Sequence, residues 1–189
     1  MAVLAQKFAC CGIFALLFLP CSTAGRAQEF LPAPPADKTL IYILDDQNRL
    51  VPLPFEQGRT PLDTIAVAKR TRISYIEFTG EHAATNLSTT PRIFLFTNQK
   101  PGTHLPFLVW LTPGKGRRRV TAVAQHGLSG FGISSDEILK PLIRVLVKTG
   151  DEVFMEVRPR ASLVPGEYAI IGDDLTRVVT FRVAIDAAR

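Results

Sequence analysis

The sequence predicts an all-β protein of two packed antiparallel sheets, and three observations lead there. The composition, 47% hydrophobic and 21% charged, is that of a globular chain, and 14 prolines and 13 glycines punctuate it at short intervals. The apolar stretches between those breakers run for four to eight residues and mostly alternate with polar ones, the period of a strand rather than a helix. About ten such stretches follow one another with no repeat or heptad among them. A length of 189 residues suits one domain with an extension.

The extension is at the start. Residues 1–27 have the form of a cleaved signal peptide: Lys7 supplies the early charge, residues 8–19 are an uncharged apolar run, Pro20 breaks it, and Ala24-Gly25-Arg26-Ala27 ends in small residues. Twelve apolar residues are too few for a transmembrane helix. The alternative is a membrane anchor, through an uncleaved segment or a lipidated Cys21. The three cysteines, Cys10, Cys11 and Cys21, all fall in this segment, so the mature chain is expected to lack disulfides, thiol nucleophiles and cysteine metal sites. Removing Lys7 and Arg26 from 22 basic residues leaves 20 against 17 acidic ones, a mature charge of +3. That balance does not call for nucleic acid as a partner.

Residues 28–38 contain Leu31-Pro32-Ala33-Pro34-Pro35 and read as an extended linker. A single domain spans residues 39–186. It opens with strands at 39–44 and 50–53 around the turn Asp45-Asp46-Gln47-Asn48, and Pro52 and Pro54 assign that hairpin to a sheet edge. Thr60-Pro61-Leu62-Asp63 breaks the chain. Residues 72–78 form a strand with Ile76 and Phe78 on one face and Ile73 and Tyr75 on the other, which predicts a central place. After a polar loop at 80–91, strands are expected at 92–96, 107–111 and 118–124, the last two joined by a hairpin at Pro113-Gly114-Lys115-Gly116. Ser134 and Glu137 have capping-box spacing and offer a helix to Leu146, against which stand Pro141 and the alternation of Ile143, Val145 and Val147. Strands at 153–157, 168–171 and 179–185 then read as a meander.

Within that last third, residues 162–171 mark a corner. Pro165 fixes φ and Gly166 can take φ > 0, which predicts a tight turn at the passage from one sheet to the other. Leu163-Val164-Pro165-Gly166-Glu167-Tyr168 resembles the tyrosine corner of immunoglobulin-like and fibronectin type III domains. The resemblance implies an antiparallel two-sheet immunoglobulin-like sandwich of about ten short strands, with the Tyr168 hydroxyl bonded to backbone a few residues upstream and Leu163, Pro165 and Gly166 shaping the corner. More loosely, residues 39–172 resemble secreted bacterial proteins of unknown function. The shared features are the Ile41-Tyr42 start, Leu50-Val51-Pro52-Leu53, a basic strand at Arg117-Arg118-Arg119-Val120, a glycine-serine loop and the Pro-Gly-Glu-Tyr-Ala ending. That likeness implies export and a fold, and no activity.

Candidate sites are few. Lys115, Arg117, Arg118 and Arg119 form a basic run, read either as an anion-binding patch or as a solvated hairpin with alternate arginines turned from the core. The absence of an adjoining aromatic platform and the small mature charge favour the hairpin. Gly127, Ser129, Gly130 and Phe131 belong to a glycine-rich segment with neither the Gly-Lys-Ser/Thr ending of a phosphate loop nor the dinucleotide glycine order, leaving it a candidate binding loop. His82, His104 and His126 show no metal spacing. His126, Ser129 and Asp136, with His82, would serve a small hydrolase or metal-dependent enzyme, but no Gly-x-Ser-x-Gly elbow is present. Asp45-Asp46 and Asp173-Asp174 fall in turns, and Asn86-Leu87-Ser88 has the glycosylation pattern. The sequence therefore predicts an exported, noncatalytic module without a cofactor, meeting an unidentified protein or envelope component through loops or an edge strand. A structural accessory domain is the other alternative.

Overall fold

Short alternating segments can bury their apolar faces only by pairing, and turn chemistry decides which segments pair. The computed structural model describes residues 29–59, 65–67, 71–98, 105–124, 131–172 and 177–185. The expected signal peptide and its cysteines, the breaker at residues 60–63, His104, His126 and Asp173-Asp174 lie outside the described residues. The chain divides into two compact units, Met1–Leu31 and Pro32–Arg189, and the strands among the described residues belong to the second.

Fourteen strands occur among the described residues, and no helix. They are β1 (Ile41–Leu44), β2 (Leu50–Leu53), β3 (Ile65–Val67), β4 (Thr71–Thr79), β5 (Asn86–Leu87), β6 (Ile93–Asn98), β7 (Phe107–Gly114), β8 (Arg117–Ala124), β9 (Phe131–Ile133), β10 (Ile138–Leu139), β11 (Pro141–Thr149), β12 (Glu152–Pro159), β13 (Gly166–Ile171) and β14 (Val178–Val183). Ten are four residues or longer, matching the expected strands, and the other four are short additions within loops. One sheet has the order β11-β12-β6-β1-β2. The other runs β3-β4-β8-β7-β13-β14-β5, with β9 on β8 and β10 on β7. All pairs are antiparallel except β14 with β5. The protein is thus an all-β two-sheet sandwich.

Local chemistry explains the pairings. The Asp45 carboxylate accepts the amides of Gln47 at 2.9 Å and Arg49 at 2.8 Å, and Asn48 takes a φ of 59°, which asparagine tolerates. β2 follows at the sheet edge, as Pro52 requires. The linker is tied down at its end, where the Tyr42 hydroxyl donates to the Asp37 carbonyl at 2.7 Å. Gly150 adopts a φ of 62° and closes the β11–β12 hairpin. Pro141 begins β11 instead of interrupting a helix. Glu137, the would-be capping residue, accepts the Thr121 amide at 2.5 Å and stitches the turn before β10 onto β8.

The main core lies between the sheets, where Ile41, Ile93, Leu95, Met155 and Val157 meet Leu108, Tyr168, Ile170, Val179 and Phe181. A second core lies on the other side of β7, β13 and β14. There Val109, Leu111, Ala169, Ile171 and Val178 are covered by Ile76, Phe78, Val120 and Ala122 of β4 and β8. The larger sheet therefore folds over itself. β7 pairs with β8 only through Thr112–Gly114 and with β10 through Leu108 and Val109, so the two strands part. β4 is second from one end of its sheet and buries one face, while Tyr75 and Glu77 on the other are half-buried. The expected meander is corrected as well: β12 lies in the smaller sheet and β13 in the larger, leaving β13 and β14 as the only hairpin of the three.

Candidate functional site

The basic run divides by strand parity. Arg118 shares its face with Val120 and Ala122 and is 1% exposed. Its guanidinium donates to the Gly80 carbonyl at 3.1 Å, the Thr79 carbonyl at 2.9 Å, Thr180 Oγ1 at 2.8 Å and the Glu56 carboxylate at 2.7 Å. Thr180 also donates to Glu56. Arg118 is consumed by the second core and is not part of any surface patch. On the opposite face Arg117 pairs with Glu77 at 2.5 Å, and Arg119 lies over the Tyr75 ring at 4.7 Å. With Lys115 they border a shallow opening that also contains Glu77, so one carboxylate already neutralises part of the charge.

Of the glycine-rich segment, Gly127, Ser129 and Gly130 lie outside the described residues, and Phe131 opens β9. His126 lies outside them too, and Asp136 is exposed in a turn. His82 Nδ1 is 2.9 Å from Glu167 Oε1, and the other Glu167 oxygen accepts the Ala83 amide at 2.9 Å. That glutamate is almost fully buried and, with Arg118, holds the chain leaving β4 against the sheet. No group of three histidine, cysteine, aspartate or glutamate side chains that could hold a metal occurs among the described residues.

The segment at 160–166 carries the chain from one sheet to the other. The Tyr168 hydroxyl donates to the Val164 carbonyl at 2.6 Å, and the ring is buried between Trp110, 5.0 Å away edge-on, and Phe181, stacked at 5.4 Å. Burial pushes the Tyr168 hydroxyl up to about 12. The Leu163 amide donates to the Thr89 carbonyl at 2.7 Å. Gly166 departs from expectation. The positive-φ glycines among the described residues are Gly80, Gly116 and Gly150, and what Gly166 provides is space, since a Cβ there would sit 2.7 Å from the Trp110 ring.

Beside this crossing is an open groove of about 400 Å³, lined by Trp110, Leu139, Pro159, Leu163, Val164 and Tyr168. Its charged members are Lys140 and Arg160, both exposed, and neither has a hydrogen-bond or ion-pair partner among the described residues. The two residues flank the end of the β11–β12 ladder, which closes with Pro141 opposite Pro159.

β11 continues from that end. It is the terminal strand of its sheet and pairs only with β12. Four of its apolar side chains are open to solvent: Leu142 is 49% exposed, Ile143 36%, Val145 52% and Val147 42%. Ile143 and Val145 sit opposite Val157 and Met155. Directly paired antiparallel residues point to the same side, so the two extend the inner face of the sheet beyond the part that the second sheet covers. Parity along residues 141–149 was visible in the sequence. What was not visible is that β11 ends a sheet, because edge position depends on pairings between distant strands.

Comparison with known protein families, curated proteins and solved structures finds no match for this chain. The chemistry of the site rests on its own geometry. The groove and the β11 edge adjoin at Lys140-Pro141, and together they offer backbone, apolar surface and two cations that are without partners among the described residues.

Proposed function

We propose that the protein is an exported, noncatalytic immunoglobulin-like module that captures an extended segment of another protein by adding it to β11. The observation that carries this reading is a nine-residue terminal strand with four exposed apolar side chains. An edge of this kind templates a further strand, whose backbone bonds supply affinity and whose alternate side chains supply selectivity. The usual defences are present in part: a register shift between Val145 and Val147, and Arg144 and Lys148 on the strand. Residues 140–149 carry three cations and no acid, so two copies meeting edge to edge would set like charges together. The charge disfavours self-association and suits a neutral or acidic foreign segment.

Export rests on the form of residues 1–27. No helix among the described residues is long and apolar enough to cross a membrane. The immunoglobulin-like assignment rests on the crossing at residues 160–166 and the Tyr168–Val164 bond, which is the arrangement a tyrosine corner would have.

Site-specific crosslinking tests the proposal. A photoreactive benzoylphenylalanine at position 145 should give a discrete crosslinked species in envelope extract of the producing cell, and the same group at Asp46, in the exposed first turn, should not. Equal labelling from both positions, or none from 145, would overturn it.

A further inference from the structure

Resting on that reading, we infer that the captured segment is a C-terminal one, running antiparallel to β11, with its last side chain in the Trp110–Leu139 groove and its terminal carboxylate between Lys140 and Arg160. The end of the β11–β12 ladder limits what an added strand can do. Pro141 and Pro159 face each other at the end of the β11–β12 pair, and Pro141 has no amide to offer an added strand. Just past that end the residues 160–164 wall the groove. A strand arriving along β11 in this direction therefore runs out of backbone partners at Pro141, where the groove adjoins.

What it meets there suits a chain terminus. The groove's apolar lining accepts a large aliphatic or aromatic side chain, and Trp110 and Leu139 are already packed, half-buried, against the main core. An inserted side chain would extend that core, the gain being the apolar area both sides remove from water. Lys140 and Arg160, one just before β11 and one just after β12, have no charged or hydrogen-bonding partner among the described residues, and an added carboxylate would supply one to both. The direction follows from the same placement. With its carboxylate at the Pro141 end, the segment runs opposite to β11, which matches the antiparallel pairing throughout the smaller sheet.

Trp110 is the chain's single tryptophan, so its emission reports on the groove directly. The probes are three versions of a six-residue peptide of alternating valine and threonine ending in phenylalanine: the free acid, the C-terminal amide, and the free acid methylated on alternate backbone nitrogens. The free acid should shift Trp110 emission saturably and bind about tenfold or more tighter than the amide. Lys140→Ala/Arg160→Ala should abolish that preference while leaving amide binding unchanged. Equal affinity for acid and amide in the wild-type protein, or no change in Trp110 emission with either, would overturn the inference even if crosslinking from position 145 persisted. Methylation separates the two readings. If the methylated acid binds as well as the parent, strand addition on β11 fails while the carboxylate groove stands.

Discussion

Tyr168 joins the sheet crossing to the main core through one hydroxyl and two ring contacts, so its removal can be dissected. Tyr168→Phe keeps the ring and deletes the donor to the Val164 carbonyl, which should cost about 1 kcal/mol in urea unfolding. The same hydroxyl gives a pH dependence of definite sign. An unfolded tyrosine ionises near its ordinary value, about 10, and the folded one near 12. Between those values the unfolded chain has released a proton that the native state keeps. The contribution is intact below pH of about 10 and falls as the pH rises through the folded value. Tyr168→Phe should flatten that alkaline slope, and an unchanged slope would assign it elsewhere. Gly166→Ala forces a methyl to 2.7 Å from the indole of Trp110 and should destabilise by about 1–3 kcal/mol through overpacking, with a change in near-ultraviolet circular dichroism from the displaced ring. Arg118→Met removes the charge opposite Glu56 and leaves the carbonyls of Thr79 and Gly80 without its donors. A loss of about 3 kcal/mol is expected, because an unpaired buried acceptor is costly. Arg117→Met on the solvent face should change stability by less than about 1 kcal/mol.

At the level of elements, parity explains both what was legible in the sequence and what was not. The hairpin at β1 and β2, the strand at β11 and the final pair β13 and β14 follow from alternation, proline placement and turn residues, all local signals. Arg118 was legible too, since it shares parity with Val120 and Ala122, but a run of neighbouring basic residues reads as surface until that parity is applied. Glu156 and Glu167 are the harder cases. Each occupies a buried strand position, Glu156 held by Arg92 at 2.5 Å and Arg158 at 2.7 Å and Glu167 by the Ala83 amide and His82. Those partners are 64 and 84 or more residues away along the chain, apart from Arg158, and no local pattern announces them. The meander failed for a related reason: short connections predict adjacency, whereas the Tyr168 crossing sends the chain to the other sheet. The short strands β9 and β10 exist because β7 and β8 pair only at Thr112–Gly114 and part on the N-terminal side of Thr112, a tertiary event that residues 131–139 repair through Glu137.

For the molecule as a whole, apolar side chains pack between the sheets, within the folded larger sheet and around Phe94 and Phe154 on the smaller one, whereas β11 keeps an unpaired edge and exposed valines. A long apolar edge invites aggregation unless something covers it, and the foreign strand proposed above would do so. The groove beside Trp110 was invisible in the sequence because its walls come from residues 110, 139–140 and 159–168, which only the sheet crossing brings together. Amide hydrogen exchange across β11, in the free protein and in the complex recovered by crosslinking, shows whether this strand is the docking edge. Outward-facing amides of β11 should exchange rapidly in the free protein and become strongly protected in the complex, while those of the opposite edge, β2, stay unchanged. If the β11 amides were already protected in the free protein, or equally labile in both states, the strand would not be the docking edge.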